Sequence, residues 1–151
     1  MDINTITDYV KADYKDKFDL NCAETILYGA NTAYNLKLDK NVLKVAAGFG
    51  GGMGIEETCG ALTGGIMALG LLFVEDNAHD SEISNFTEKV FNKYEEEMGS
   101  IVCVPLKEQY RTEDSGCYKV ILKAAEIFDE IIQKNKSLIN KKAMKKVNDI
   151  I

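Results

Sequence analysis

A chain of 151 residues is long enough for one domain with a substantial core, and 46% hydrophobic with 28% charged residues is the balance of a globular protein. Lys and Arg number 18 against 24 Asp and Glu, a net charge of −6, which excludes nucleic acid as the default partner because phosphate contacts need clustered positive charge. The opening stretch MDINTITDYVKADYKDKF has no apolar signal region, and the longest apolar run, 61–74, is too short and glycine-rich for a membrane span, so a cytoplasmic setting is expected.

Helical periodicity dominates in chain order. A first helical piece is predicted over Thr5 to Lys17 and a second over Cys22 to Asn35. The second carries a stripe of Ile26, Leu27, Ala30, Ala33 and Tyr34, and Asn21 with Glu24 makes a capping box at its start. A short helix over Lys40 to Ala47 has Asp39 as its cap and Gly48 as its stop. The segment from Thr58 to about Phe73 is apolar on nearly every side, which predicts a central buried helix. Ile83, Phe86, Val90, Tyr94 and Met98 mark a helix over Ser81 to Met98 ended by Gly99. Ile121, Ala124, Phe128 and Ile131 mark another over Cys117 to Gln133, and Pro105 suits the first turn of a short helix. No segment alternates with period two. The fold class predicted is all-α, a compact multi-helix bundle around a central glycine-rich apolar helix.

The stretch GFGGGMGIEETCG at 48–60 poses the chemical question. A dinucleotide fingerprint needs G-x-G-x-x-G, and no register supplies it. A P-loop needs Lys after its glycines, and none occurs between Lys44 and Lys89. No nucleotide cofactor is therefore expected. What the glycines do permit is close approach and unusual backbone angles. With Thr58 as N-cap, Cys59 falls in the first turn of its helix, where the dipole and orphan N–H groups favour a thiolate. Gly60 and Gly64 on one face, with Ala61, Gly65 and Ala68 on another, let a neighbouring helix come close.

The four cysteines, Cys22, Cys59, Cys103 and Cys117, share this context. Cys22 follows its cap Asn21, Cys117 follows the capping residues Asp114 and Ser115, and Cys103 stands two residues before Pro105. All four lie at or just before a predicted helix start, the environment needed to hold several negative sulfurs together. Their gaps do not form C-x-x-C. In a reducing compartment multiple cysteines point to metal or redox work, whereas any one alone reads as a buried inert side chain.

The stretches NCAETIL, AAGFGGGMGIEETCGALTGGIMALGL, GSIVCVPL and GCYKVILKAAEIFDEI resemble the C-GCAxxG-C-C family of redox-active proteins from about Phe18 to Ile132. The resemblance implies a short all-helical protein of electron-transfer or thiol redox work, with Cys22, Cys59, Cys103 and Cys117 matching the four family cysteines. A similar domain occurs in split-Soret cytochromes, where its cysteines are associated with a non-haem iron–sulfur centre. The spacer between Cys103 and Cys117 is shorter than usual for the family. No C-x-x-C-H motif is present, so no haem is expected.

Three classes of function follow. Four thiolates bind an iron–sulfur cluster, most simply 2Fe–2S, for electron transfer, with zinc as the non-redox occupant of the same site. Alternatively, one or two cysteine pairs serve a thiol/disulfide oxidoreductase with Cys59 as the low-pKa attacker. The third is a structural or interaction protein with incidental cysteines. His79 reads as a surface residue, Glu56 and Glu57 as dipole partners, Glu95 to Glu97 as a solvated face, and Arg111, between the last two cysteines, as facing water in preference to offsetting sulfur charge. The domain expected spans 1–136, followed by a basic extension, 137–151. Six lysines follow Gln133, and Ile139, Ala143, Val147 and Ile150 form an apolar stripe. The expected partners are a redox protein and, for this tail, the chain's own acidic surface or a second copy in a homodimer.

Overall fold

The structure is a computed structural model describing residues 2–139. Among the described residues there are eight α-helices and no strand: α1 (Ile6–Lys11), α2 (Tyr14–Lys17), α3 (Cys22–Ala33), α4 (Lys40–Leu43), α5 (Gly60–Phe73), α6 (Ile83–Met98), α7 (Cys103–Tyr110) and α8 (Tyr118–Lys134). None of them is long and apolar enough to cross a membrane. The all-α bundle is as predicted.

Helix α5 sits at the centre because it has no polar face to offer water. Ala61, Leu62, Ala68, Leu69 and Leu72 are completely buried, and α3, α6 and α8 pack around it. The stripe Phe86, Val90, Tyr94 and Met98 of α6 is buried, as is Ile121, Ala124, Phe128 and Ile131 of α8. Small residues set the closest approaches. The Phe128 ring occupies the space beside Gly65, where an added Cβ would lie 1.9 Å from it. Gly99 ends α6 at φ +85°, a left-handed stop of the kind glycine supplies.

Two elements depart from the predicted boundaries. The piece predicted as one helix over Thr5 to Lys17 breaks at Asp13, which adopts φ +65°. Aspartate tolerates that conformation, and Tyr9 stacks on Tyr14 across the break with ring centroids 4.6 Å apart. The helix predicted over Lys40 to Ala47 ends at Leu43 and tightens into a 3₁₀ turn, Lys44–Phe49, which runs through Gly48. A π-type turn, Gly52–Glu56, then places the glycine stretch beside the cysteines.

Ile139 lies three residues beyond the expected boundary at Lys136 and is only 8% exposed, packed on the core. Ala143, Val147 and Ile150 of the tail stripe lie outside the described residues. Truncation after Lys136 should therefore cost about 2 kcal/mol through the lost burial of Ile139. A urea midpoint unchanged by that truncation would show that Ile139 contributes nothing to the core.

Candidate redox site

Each cysteine stands at a helix start. Cys22 is the first residue of α3 and Cys103 the first of α7, while Cys59 and Cys117 occupy the N-cap positions of α5 and α8. The predicted capping box opens α3. Asn21 accepts from the Glu24 N–H at 2.9 Å, and Glu24 accepts from the Asn21 N–H at 2.9 Å. The Asn21 amide also donates to the Ala47 carbonyl at 3.0 Å, which ties the start of α3 to the 3₁₀ turn.

The glycines around the sulfurs act mainly by what they lack. A Cβ at Gly60 would stand 2.5 Å from Cys22 Sγ and 2.7 Å from the Phe49 carbonyl, and a Cβ at Gly52 would stand 2.9 Å from Cys103 Cβ. Gly52 also has φ +60°, which disfavours other residues on its own account. The stretch at 48–60 thus wraps backbone closely around sulfur.

Backbone pairing absent from any sequence pattern joins Cys59 to Cys103. Thr58 and Val102 form an isolated antiparallel bridge; the Cys59 N–H donates to the Ile101 carbonyl at 2.8 Å, and the Cys103 N–H donates to the Glu57 carbonyl at 2.6 Å. These bonds satisfy N–H groups that helix starts leave unpaired. After α7 the chain reverses in a tight turn. The N–H groups of Thr112 and Gly116 donate to each other's carbonyls at 3.1 and 2.8 Å, and this reversal carries Cys117 back to the side of Cys103. The short spacer is accommodated by an eight-residue helix and this turn.

The result is one cavity of about 220 Å³ lined by all four cysteines. Leu106, Val120 and Ile121 supply apolar wall, and Lys15, Lys107 and Arg111 also line it, without a carboxylate. Cys59 and Cys103 are buried, Cys22 and Cys117 partly exposed. All four thiols are free. Among the described residues no three His, Cys, Asp or Glu side chains are grouped so as to hold one metal ion. The sulfurs therefore border an open volume and do not converge on a single point.

Burial pushes the Cys59 thiol up to about 12, with the neighbouring Cys22 adding to the rise and the N–H groups of Ala61 and Leu62 opposing it. This reverses the lowering expected from the helix start, since desolvation of a buried sulfur outweighs two N–H dipoles. Burial also raises Cys103, against the pull of Lys107 one turn along α7. Arg111 is exposed, as expected, and also directs Nη1 to Cys117 Sγ at 3.9 Å. His79 and Glu95 to Glu97 are exposed, as predicted. Glu56 is exposed and pairs with Lys107 at 3.4 Å. Lys15 and Lys107 gave no signal in the sequence, because isolated lysines there look like any solvated residue.

No curated protein and no solved structure matches the chain. The sequence profile of the family described as "Putative redox-active protein (C_GCAxxG_C_C)" matches it over residues 20–131, a span that includes all four cysteines and the starts of α3, α5, α7 and α8 that carry them. The chain belongs to that family.

Proposed function

We propose that the protein transfers electrons through an iron–sulfur cluster, most simply 2Fe–2S, held by Cys22, Cys59, Cys103 and Cys117. The observation that carries this reading is the single cavity of about 220 Å³ bordered by four free cysteines from four helix starts. An all-thiol donor set suits iron and sulfide. Sulfurs spread around a volume also suit a group with several metal atoms better than one tetrahedral zinc, whose sulfurs each lie about 2.3 Å from the ion.

When bound, the cluster supplies one-electron redox chemistry. The chain's own residues provide the rest. Leu106, Val120 and Ile121 supply the apolar wall beside the sulfurs, while Lys107 and Arg111 stand where thiolate charge needs compensation. Four clustered thiolates without positive partners would cost many kcal/mol. In the chain alone, burial first and the neighbouring Cys22 second raise the Cys59 thiol.

Anaerobic purification followed by iron, sulfide, zinc and thiol analysis on one sample tests the reading. The expected result is iron with acid-labile sulfide and visible absorption, most of it lost when any one of the four cysteines becomes serine. Zinc without sulfide would overturn electron transfer. Metal-free protein in which two electrons and two protons convert one disulfide into two thiols would establish the oxidoreductase alternative. Four ordinary thiols with silent serine variants would leave a structural protein.

A further inference from the structure

We propose that Arg111 sets the reduction potential of the four-cysteine site, favouring its reduced state through the Cys117 sulfur. This inference rests on the redox reading above and assigns a tuning role to a residue outside the ligand set.

Arg111 is the only arginine in the chain, and its guanidinium lies 3.9 Å from Cys117 Sγ at the lining of the cavity. Among the described residues no carboxylate forms an ion pair with it, whereas Lys15 pairs with Asp16 at 3.8 Å and Lys107 with Glu56 at 3.4 Å. Among the described residues, the side-chain contact its guanidinium makes is to the Cys117 sulfur. The placement is built into the chain. Arg111 and Cys117 flank the turn closed by the reciprocal Thr112 and Gly116 bonds, with Thr112 Oγ1 and Ser115 Oγ 2.7 Å apart and the Ser115 N–H donating to Thr112 Oγ1 at 3.1 Å. Gly116 adopts φ +56°, a conformation glycine takes at no steric cost. The turn fixes the backbone positions from which the guanidinium and the sulfur meet.

Adding one electron increases the negative charge of the site. A fixed positive charge and an N–H donor beside a ligand sulfur both favour the reduced form. Arg111 is exposed, so water screens part of this effect, and a shift of about tenfold in the reduction equilibrium is the expected scale.

A dye-mediated titration with dithionite as electron donor measures this on anaerobically purified protein. Arg111→Gln should shift the equilibrium about tenfold toward the oxidised form, about 59 mV lower for a one-electron couple. Arg111→Lys, which keeps the charge and loses the fork, should shift it less, and Lys40→Gln should not shift it. A reversible transition that neither Arg111 variant moves overturns the proposal and leaves the redox reading intact. Absence of any transition in the unaltered protein overturns that reading and the proposal with it. A second measurement needs no bound group: alkylation of Cys117 in reduced, metal-free protein by iodoacetate and by iodoacetamide. Both reagents attack the same thiolate, so the ratio of their rates reports only local charge. Arg111→Gln should lower the iodoacetate preference severalfold, and an unchanged ratio overturns the contact on which the proposal stands.

Discussion

Replacing Asp129 with alanine is expected to destabilise the protein by about 4 kcal/mol, read as a lower urea midpoint at unchanged slope. Asp129 projects from α8 and is only 6% exposed. Oδ1 accepts from the Ile6 N–H at 2.9 Å and the Tyr34 hydroxyl at 2.6 Å; Oδ2 accepts from the Thr7 N–H at 2.8 Å and the Thr7 hydroxyl at 2.6 Å. No cation balances this carboxylate among these contacts. Four donors and the positive end of α1 do so instead. Burial and then the Asp129 charge push the Tyr34 phenol up, so it remains a donor. Alanine would strand the Ile6 N–H and the Tyr34 hydroxyl in the interior and leave the half-buried Thr7 N–H and hydroxyl without this acceptor. The milder change Asp129→Asn should cost less, about 2 kcal/mol, since one carbonyl oxygen still accepts. A change below about 1 kcal/mol for alanine would mean that water enters and satisfies all four donors.

Gly64→Leu should cost about 3 kcal/mol, by overpacking the contact between α3 and α5. An added Cβ at Gly64 would lie 2.4 Å from the Ala23 carbonyl oxygen and 3.0 Å from Ala23 Cα, backbone atoms with no rotamer to yield. The strain would fall next to Cys22, so the same variant should disturb the cavity. Gly70→Ala on the same helix meets nothing within 4 Å and should be neutral or stabilising by up to about 1 kcal/mol. Equal stability of the two variants would show that α3 and α5 separate freely.

The contrast between those two glycines marks how far the sequence can be read. Helix positions and faces were legible wherever apolar residues recur with helical spacing, as in Phe86, Val90, Tyr94 and Met98, because burial of one face is a local pattern. The cysteines' place at helix starts was legible for the same reason. Which glycine faces a carbonyl and which faces open space depends on the partner helix, and no local pattern encodes that. Nor does any pattern mark Asp129, whose donors come from residues more than 90 positions away in the chain. The direction of the Cys59 shift was misjudged because a helix start is visible in sequence, whereas depth of burial is not. The exposure of Arg111 is legible in sequence, whereas its contact with Cys117 across the 112–116 turn depends on the turn's geometry.

The bridge between Thr58 and Val102 has a consequence for the order of events in the protein's life. All of α5 and α6 lies between its two residues, so Cys59 and Cys103 meet only after that hairpin of helices has closed. During synthesis Cys22 and Cys59 emerge first and wait for partners that do not yet exist. Closing so long a loop carries an entropic cost that the helix packing must first offset. The cavity bordered by the four cysteines is therefore complete only when the helices between Thr58 and Val102 have packed. A half-made molecule has no such place, so the four-cysteine cavity exists only once α5 and α6 are in position.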